Sequence, residues 1–518
     1  MHGGSGLHEW ASPRRWELDS VLSHELYNIG HLYEAAVAHY QATGKRTLLD
    51  IAIKSADLVS KDFGYNKLKV YPGHQVIEMG LAKLYRITGD KKYLDLAKFF
   101  LDIRGPKGQE YNQAHILPVD QTEAVGHAVR ATYMYSGMAD IAALKNDKKY
   151  LNAITRIWDD IVYRKMYVTG GIGASGGNEG FADPYVLPNM TAYCETCASI
   201  GNIFFNHRLF LFHGDAKYYD IIEKTLYNSM LSGVSLSADR FFYPNPLESK
   251  GQHKRQAWFG CACCPSNISR FMPAIPGYIY AQTSRDIYVN LYASNEAEIS
   301  LGKKKVHIIQ KTDYPWDGRV EISTEPEKPG VFTLRLRIPG WVRNEAIPGG
   351  LYKFISTSTE NFSISVNGKD AKYSIQKGYV VIKRKWKKGD RILIDFPMPV
   401  RMVRADERVK DDAGRVALQR GPFIYCAEWP DNNNGNVRNL ILDTTAGFST
   451  LFRTDLLEGV QVITASGRQA VRLPDGEIKM MDTEQVTLIP YAYWNNRGPG
   501  EMIVWLPVTP EAALFLKD

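Results

Sequence analysis

The sequence predicts a multidomain α + β protein, with a helical barrel in its first half and two β-sandwiches behind it. Three observations predict this. Helical hairpins recur four times in the first half, each closed by a Gly or Asn. After about Pro276 the apolar pattern changes from a helical period to a period of two. The chain has 518 residues, 44% hydrophobic and 23% charged, which is ordinary for globular domains of roughly 150 residues each and too apolar and too evenly charged for a disordered chain.

The hairpins lie in His39–Asp50, Leu84–Asp95, Leu144–Leu151 and Phe212–Asp220. In each, a helix ends at Gly44, Gly89, Asn146 or Gly214, a short turn follows, and a second helix begins. The intervals between those caps grow from 45 to 57 to 68 residues. A solenoid keeps a fixed period. Growing intervals instead fit hairpins with insertions on one face, closed into an (α/α) barrel. Gly30-His31, Gly73-His74 and Gly126-His127 each fall near the start of the first helix of a hairpin, with Glu34, Glu78 and Glu123 close by. Any one of these histidines alone reads as a structural histidine. Their recurrence at one place predicts that three histidines converge on one pocket at a rim of the ring.

Asp286–Tyr292, Phe332–Ile338 and Arg391–Phe396 alternate apolar and polar residues, and Asn367-Gly368 and Lys388-Gly389-Asp390 supply turns. The pattern predicts antiparallel sheets. Pro397-Met398-Pro399 marks a break, with a second set of strands from Val416. The expected domains are therefore 1–280 (barrel), 281–400 and 401–518 (one β-sandwich each).

Charge and hydropathy restrict the partners. Lys+Arg 63 against Asp+Glu 56 leaves a net +7, small for this length. The most basic run, Lys383–Lys388, sits between an apolar strand and the Gly389-Asp390 turn, and reads as a solvated hairpin end rather than a nucleic-acid patch. No stretch approaches the ~18 apolar residues of a membrane span. Met1–Gly6 lacks a basic n-region and an apolar h-region, so no export signal is visible and the compartment stays open.

Five of the six cysteines cluster, in Cys194-Glu195-Thr196-Cys197 and Cys261-Ala262-Cys263-Cys264. Clustering without abundance points to a metal or to thiol chemistry, not to a disulfide framework. Pro265 is expected at the first position of a helix, which would place Cys263 and Cys264 just before its N-terminus, where thiolates are favoured. On an extended stretch Glu195 and Cys197 would point to the same side. Together the four make a set of three thiolates and one carboxylate, which zinc accepts at about 2.3 Å for sulfur and about 2.0–2.2 Å for oxygen. The spacing is not that of a zinc finger, and it leaves the structural reading (a structural zinc or a pair of buried free thiols) and the catalytic one equally open. The glycine-rich loop Gly170–Gly180 lacks the Gly-Lys-Ser/Thr ending of a phosphate loop. It carries one carboxylate, Glu179, which by itself reads as a solvated surface residue.

At these residues the chain resembles glycoside hydrolase family 127, the β-L-arabinofuranosidases. The matching stretches are Gly30–Ala36, Asp120–Ala128, Thr169–Gly173, Tyr193–Ser199 and Cys261–Pro265. The resemblance runs over nearly the whole chain, and the Glu-Thr-Cys and Cys-Cys-Pro pair is its most specific part. It implies an (α/α)6-type barrel followed by two jelly-roll-like β-sandwich domains, with barrel helices that precede Leu26 in family members absent from this chain. It implies a retaining exo-hydrolase acting on an oligosaccharide, by default releasing terminal β-L-arabinofuranose from plant-type glycans. Cys263 would be the nucleophile, Glu179 the acid/base, and Glu195, Cys197, Cys263 and Cys264 the ligands of a Zn2+ ion. His31, His74 and His127 would hold the furanose ring, with Tyr243 a further pocket contact. No nucleic-acid or membrane partner is expected; a homodimer is compatible. The alternatives are the same machinery acting on another pectic sugar, such as an aceric acid residue of rhamnogalacturonan II, a non-catalytic carbohydrate-binding protein with a structural zinc, and a barrel epimerase with paired histidines and no thiolate.

Overall fold

The computed structural model describes residues 12, 14–21, 23–302, 304–432, 435–513 and 515. Met1–Gly6, read above for an export signal, lies outside them. The chain divides into two units: Met1–Lys165 with Ser175–Pro184, and Met166–Ala174 with Tyr185–Asp518.

The first unit is helical. Its helices are α1 (Glu25–Thr43), α2 (Thr47–Asp62), α3 (Ile77–Thr88), α4 (Lys91–Asp102), α5 (Ala128–Lys145) and α6 (Lys148–Asp160). They pair as hairpins α1–α2, α3–α4 and α5–α6. Gly44, Gly89 and Asn146 close the first helix of each with φ of 70°, 73° and 54°, the left-handed conformation that Gly adopts without a Cβ clash and Asn tolerates better than most residues. Asp90 and Asp147 then cap the next helix, accepting from the N–H of Lys92 at 3.1 Å and of Lys149 at 3.0 Å, which satisfies donors that have no intrahelical acceptor. The first helices also pack on one another, α1 on α3 and α3 on α5. Two glycines make the closest of these approaches: a Cβ on Gly30 would lie 2.6 Å from the Ile77 nitrogen, and one on Gly80 would lie 2.8 Å from the Gly30 oxygen.

The histidines do not all stand at helix starts as expected. His127 is the N-cap of α5 and His74 precedes α3, but His31 lies inside α1. The helix begins earlier because the Asp19 carboxylate accepts the Leu26 N–H at 2.9 Å, a cap supplied from outside the helix.

The second unit opens with a fourth hairpin, α7 (Thr196–His213) and α8 (Ala216–Thr225), joined by Gly214 at φ 60° and capped by Asp215. A short α9 (Cys263–Phe271) follows, and then the strands. One five-stranded sheet has the order 374–376, 379–386, 330–337, 286–289, 280–282; a six-stranded sheet has the order 369–370, 363–366, 390–395, 319–326, 304–312, 295–301. The two share a core, with Ile287, Leu334 and Val380 from the first and Ile308, Ile322 and Ile394 from the second. Strand 319–326 alternates buried and solvent-facing residues throughout, as a strand with one covered face must. A third sheet of eleven strands is built mainly from residues after Arg401, around Leu418, Tyr425, Ile463 and Leu488.

Three details depart from the sequence reading. Strand 286–289 pairs with 330–337 in parallel, not antiparallel; the chain leaves for the six-stranded sheet between them, and a return through another sheet is the crossover that a parallel pair needs. Lys383, Lys385, Lys387 and Lys388 are exposed as expected, but their turn joins strands of two different sheets and is not a hairpin end. The eleven-stranded sheet starts at Arg401 rather than Val416 and recruits Glu248–Lys250 and Tyr352–Phe354, strands of three residues that are too short to show a period. Among the described residues, no helix is long and apolar enough to cross a membrane.

Candidate active site

In the second unit, two helix starts bring the cysteine groups together. Glu195 is the N-cap residue of α7 and Cys197 lies in its first turn; Cys263 and Cys264 are the first two residues of α9. The convergence therefore comes from helix starts, not from an extended stretch at 195–197, and α9 begins two residues before Pro265. At both helix starts the unpaired N–H groups and the positive end of the dipole favour thiolate over thiol. One ligand atom from each of Glu195, Cys197, Cys263 and Cys264 lies within 4.8 Å of the others. The Sγ atoms of Cys197 and Cys264 are 3.6 Å apart and those of Cys263 and Cys264 3.8 Å; Glu195 Oε1 lies 3.4 Å from Cys263 Sγ and 3.6 Å from Cys264 Sγ. The cysteines are unbridged. A tetrahedral zinc ion with sulfur arms of about 2.3 Å and an oxygen arm of about 2.1 Å has edges of about 3.8 Å between sulfurs and about 3.6 Å between sulfur and oxygen. The donor set and its spacing fit such an ion.

The shell behind the cluster is specific. The Tyr243 hydroxyl stands 3.0 Å from Cys263 Sγ. Its segment is held by Asn245, which is fully buried. Asn245 Nδ2 donates to the Cys194 carbonyl and to Thr196 Oγ1, both at 2.9 Å, and its Oδ1 accepts from Ser232 Oγ at 2.6 Å. Cys194 adopts φ 39°, a left-handed conformation that turns the chain just before Glu195. Burial pushes the thiols of Cys197 and Cys264 up; the hydrogen bonds they share with Cys263 and with each other favour the thiolate of Cys197 and hold Cys264 well above its ordinary value. Burial keeps the thiols of Cys194 and Cys426 well above their ordinary value, as expected of inert core cysteines. Cys261 is exposed and stands outside the four-ligand group.

In the first unit, the three histidines gather with aromatic rings. His74 lies 5.7 Å from His127, ring centre to ring centre, and Tyr27 lies 4.5 Å from His31 and 4.3 Å from His74. Burial holds His74 well below the ordinary histidine value, and the Arg130 guanidinium acts the same way. His127 is lowered too, first by burial, against the opposing pull of Glu179. His127 Nε2 is 3.0 Å from Glu179 Oε2. Glu179 is thus no isolated surface carboxylate. The remaining acids do not join it: Glu34 pairs with Lys83, Glu78 is buried near Arg104, and Glu123 lies 3.6 Å from Lys165.

Sequence reasoning missed Tyr27, Tyr111, Arg130 and Asn245. Tyr27 precedes His31 by four and Arg130 follows His127 by three, and helical spacing on one face was the available signal. Nothing local marks Tyr111. Asn245 lies inside the Tyr243–Leu247 segment, but its role depends on the distant Cys194, Thr196 and Ser232.

Residues 3–277 match the family model described as "Beta-L-arabinofuranosidase, GH127 catalytic domain". Residues 286–398 match the GH127 middle domain and 400–507 the family 127 C-terminal domain. A non-reducing end beta-L-arabinofuranosidase of Bifidobacterium longum subsp. longum is 35% identical, over 96% of this chain and 80% of that protein. A solved GH127 beta-arabinofuranosidase superposes with a TM-score of 0.94 at 52% identity, over 98% of this chain and 80% of its own. A GH127 beta-L-arabinofuranosidase from Geobacillus stearothermophilus T6 does so with a TM-score of 0.88 at 40% identity, over 95% and 81%. These matches, together with a thiol–carboxylate cluster able to hold a metal ion, place the chain among the glycoside hydrolases, and it belongs to family 127.

Proposed function

We propose that this hydrolase is a retaining exo-enzyme that releases terminal β-L-arabinofuranose from plant-type glycans, with Cys263 as nucleophile and Glu179 as acid/base. The observation that carries the reading is the approach of Glu195, Cys197, Cys263 and Cys264 ligand atoms to within 4.8 Å of one another. The activity named for the relatives supports the choice of sugar. The finer architecture proposed with it is an (α/α)6-type barrel over 1–280 and β-sandwiches over 281–400 and 401–518.

Zinc, when held by Glu195, Cys197, Cys263 and Cys264, supplies the positive charge that keeps the sulfurs deprotonated at neutral pH. Cys263 Sγ attacks the anomeric carbon while the glycosidic C–O bond breaks and Glu179 gives its proton to the departing oxygen. Glu179, now a carboxylate, takes a proton from water, whose oxygen bonds to the anomeric carbon as the C–S bond breaks and the thiolate leaves. Two inversions give net retention, with a thiolate in place of the usual second carboxylate. Tyr243 orients the sulfur. His31, His74 and His127 form the wall for the furanose ring.

Cys263→Ser is expected to lower turnover of a chromogenic β-L-arabinofuranoside on the order of 10³-fold or more while binding persists. Hydrolysis at the wild-type rate would remove the nucleophile assignment. Glu179→Gln is expected to cripple the release of poor leaving groups, with partial rescue by azide.

A further inference from the structure

We propose that His127 is a positioning residue for Glu179, donating its Nε2–H to one carboxylate oxygen and so fixing on the other oxygen the proton that the acid step uses. The inference rests on the reading of Glu179 as acid/base.

The tautomer of His127 follows from where α5 begins. His127 is its N-cap, and Nδ1 lies 3.2 Å from the Val129 nitrogen and 3.4 Å from the Arg130 nitrogen. Both are N–H donors at a helix start, where no intrahelical carbonyl is available. A ring nitrogen that accepts from them carries its lone pair, so the hydrogen of the neutral ring sits on Nε2. That nitrogen is 3.0 Å from Glu179 Oε2. The Tyr111 hydroxyl approaches the same oxygen at 3.5 Å. With two donors aimed at Oε2, that oxygen is the acceptor, and the proton of the acid form rides on Oε1. From there it passes to the glycosidic oxygen.

The backbone holds the pair in register. His127 and Gly180 form an antiparallel bridge. The Ala128 N–H donates to the Glu179 carbonyl at 3.1 Å and the Phe181 N–H to the Gly126 carbonyl at 3.0 Å. Glu179 itself takes φ 51°, a costly conformation for a non-glycine residue that the surroundings must enforce. The charged and titratable groups facing the pair are Arg130, whose guanidinium lies 4.7 Å from the Tyr111 ring centre, Tyr111 itself, and His74. Burial favours the neutral form of His127, and a protonated ring would point an Nδ1–H at two backbone N–H groups. Both ring nitrogens are engaged in this geometry, so His127 acts on the acid step through Glu179.

The test uses two substitutions that separate the roles in the zinc-loaded full chain. His127→Asn keeps an acceptor near the Nδ1 position, and Asn is a good N-cap, but it does not reach Glu179. His127→Gln keeps a donor near the Nε2 position and loses the cap. A hydrogen bond to the ionised form lowers an acid's pKa, so its loss raises the pKa of Glu179 and moves the alkaline limb of the kcat/KM profile upward. His127→Asn is expected to move that limb up by roughly half to one pH unit. It should also lose about 10- to 100-fold on an aryl β-L-arabinofuranoside with a poor leaving group and far less on one with a good leaving group. His127→Gln is expected to restore the limb and most of the rate, with a lower Tm. A limb unmoved in His127→Asn, or a loss confined to KM and equal for both leaving groups, overturns the proposal. Should the Asn variant fail to fold, 15N shifts of histidine-labelled wild-type protein decide instead. The Nε2–H tautomer from pH 5 to pH 8 is the outcome the geometry requires, and an Nδ1–H or charged ring refutes it. Glu179→Gln is assayed alongside. Wild-type activity there on the poor leaving group overturns the acid/base reading itself, whereas an impaired Glu179→Gln beside an unmoved His127→Asn limb overturns only the role of His127.

Discussion

Gly126 and Gly180 stand back to back: a Cβ on Gly180 would lie 1.7 Å from the Gly126 carbonyl oxygen, the same oxygen that accepts the Phe181 N–H at 3.0 Å. The obstruction is backbone, so it cannot rotate aside. Gly126 is similarly confined, at φ 68° with the Glu110 carbonyl oxygen 2.0 Å from any added Cβ.

Gly180→Ala must therefore part the two segments that carry His127 and Glu179. A methyl forced against backbone at this distance is expected to cost about 2–4 kcal/mol. Activity on poor leaving groups should fall more than stability explains, because Glu179 loses its register. Thermal unfolding together with a leaving-group series checks this. A variant with unchanged Tm and unchanged rates would mean that the two segments can separate freely.

Much of this arrangement was legible in the sequence, and the illegible parts have physical reasons. Gly44, Gly89, Asn146 and Gly214 announced their helix ends because a left-handed cap admits few residue types. That Glu195, Cys197, Cys263 and Cys264 form a group able to hold a metal ion was readable from chemistry alone, since clustered thiols and a carboxylate have few other uses. How they meet was not readable. Glu195 is a poor N-cap residue by type, so nothing at 194–197 announces a helix start, and an extended stretch was the reasonable expectation. The tautomer of His127 depends on which residue begins α5, and helix boundaries are the least reliable part of any pattern. Strands 248–250 and 352–354 owe their existence to partners more than a hundred residues away for the first and about fifty for the second.

Asn245 ties the Tyr243 segment to the turn at Cys194 and to Thr196 beside Glu195. Asn245→Ala leaves the Cys194 carbonyl and the Ser232 hydroxyl short of a partner in a buried setting, at an expected cost of about 1–3 kcal/mol for each group left unsatisfied. Because the segment supports the metal ligands from behind, zinc affinity should fall about 10- to 100-fold. Competition with a chromophoric chelator reads the affinity. Wild-type zinc retention in a destabilised protein would confine Asn245 to folding.

Metal removal offers a separate check on the cluster. Protein purified without chelator is expected to carry one zinc ion per chain by elemental analysis, and a strong chelator should lower Tm, since a ligand bound to the native state alone stabilises it by mass action. Re-addition of zinc should restore both Tm and turnover. In Cys197→Ala the chelator should no longer change Tm, because the set of ligands is already broken. A metal-free wild-type protein of full activity and unchanged Tm would contradict the cluster as a metal site.

His253 underlies the same Tyr243 segment and makes it sensitive to acid. Its ring stacks on Phe242 and Trp494 at 4.5 and 5.9 Å, and Nε2 lies 3.0 Å from the Pro244 carbonyl, to which it donates. Burial pushes its pKa down to about 4, helped by Arg255 and opposed by the Pro244 hydrogen bond. The unfolded chain takes up a proton near pH 6.5, whereas the native ring resists until about pH 4. Between those values the unfolded state binds more protons, so stability is complete above about pH 6.5 and is lost as pH falls towards 4, by an amount on the order of 3 kcal/mol. His253→Gln keeps a donor to the Pro244 carbonyl and carries no titrating group. The difference in Tm between wild type and His253→Gln should therefore shift in favour of the variant as pH drops from 6.5 to 4, while other groups cancel in the comparison. Parallel Tm curves across that range would show that the ring is accessible to protons in the native state.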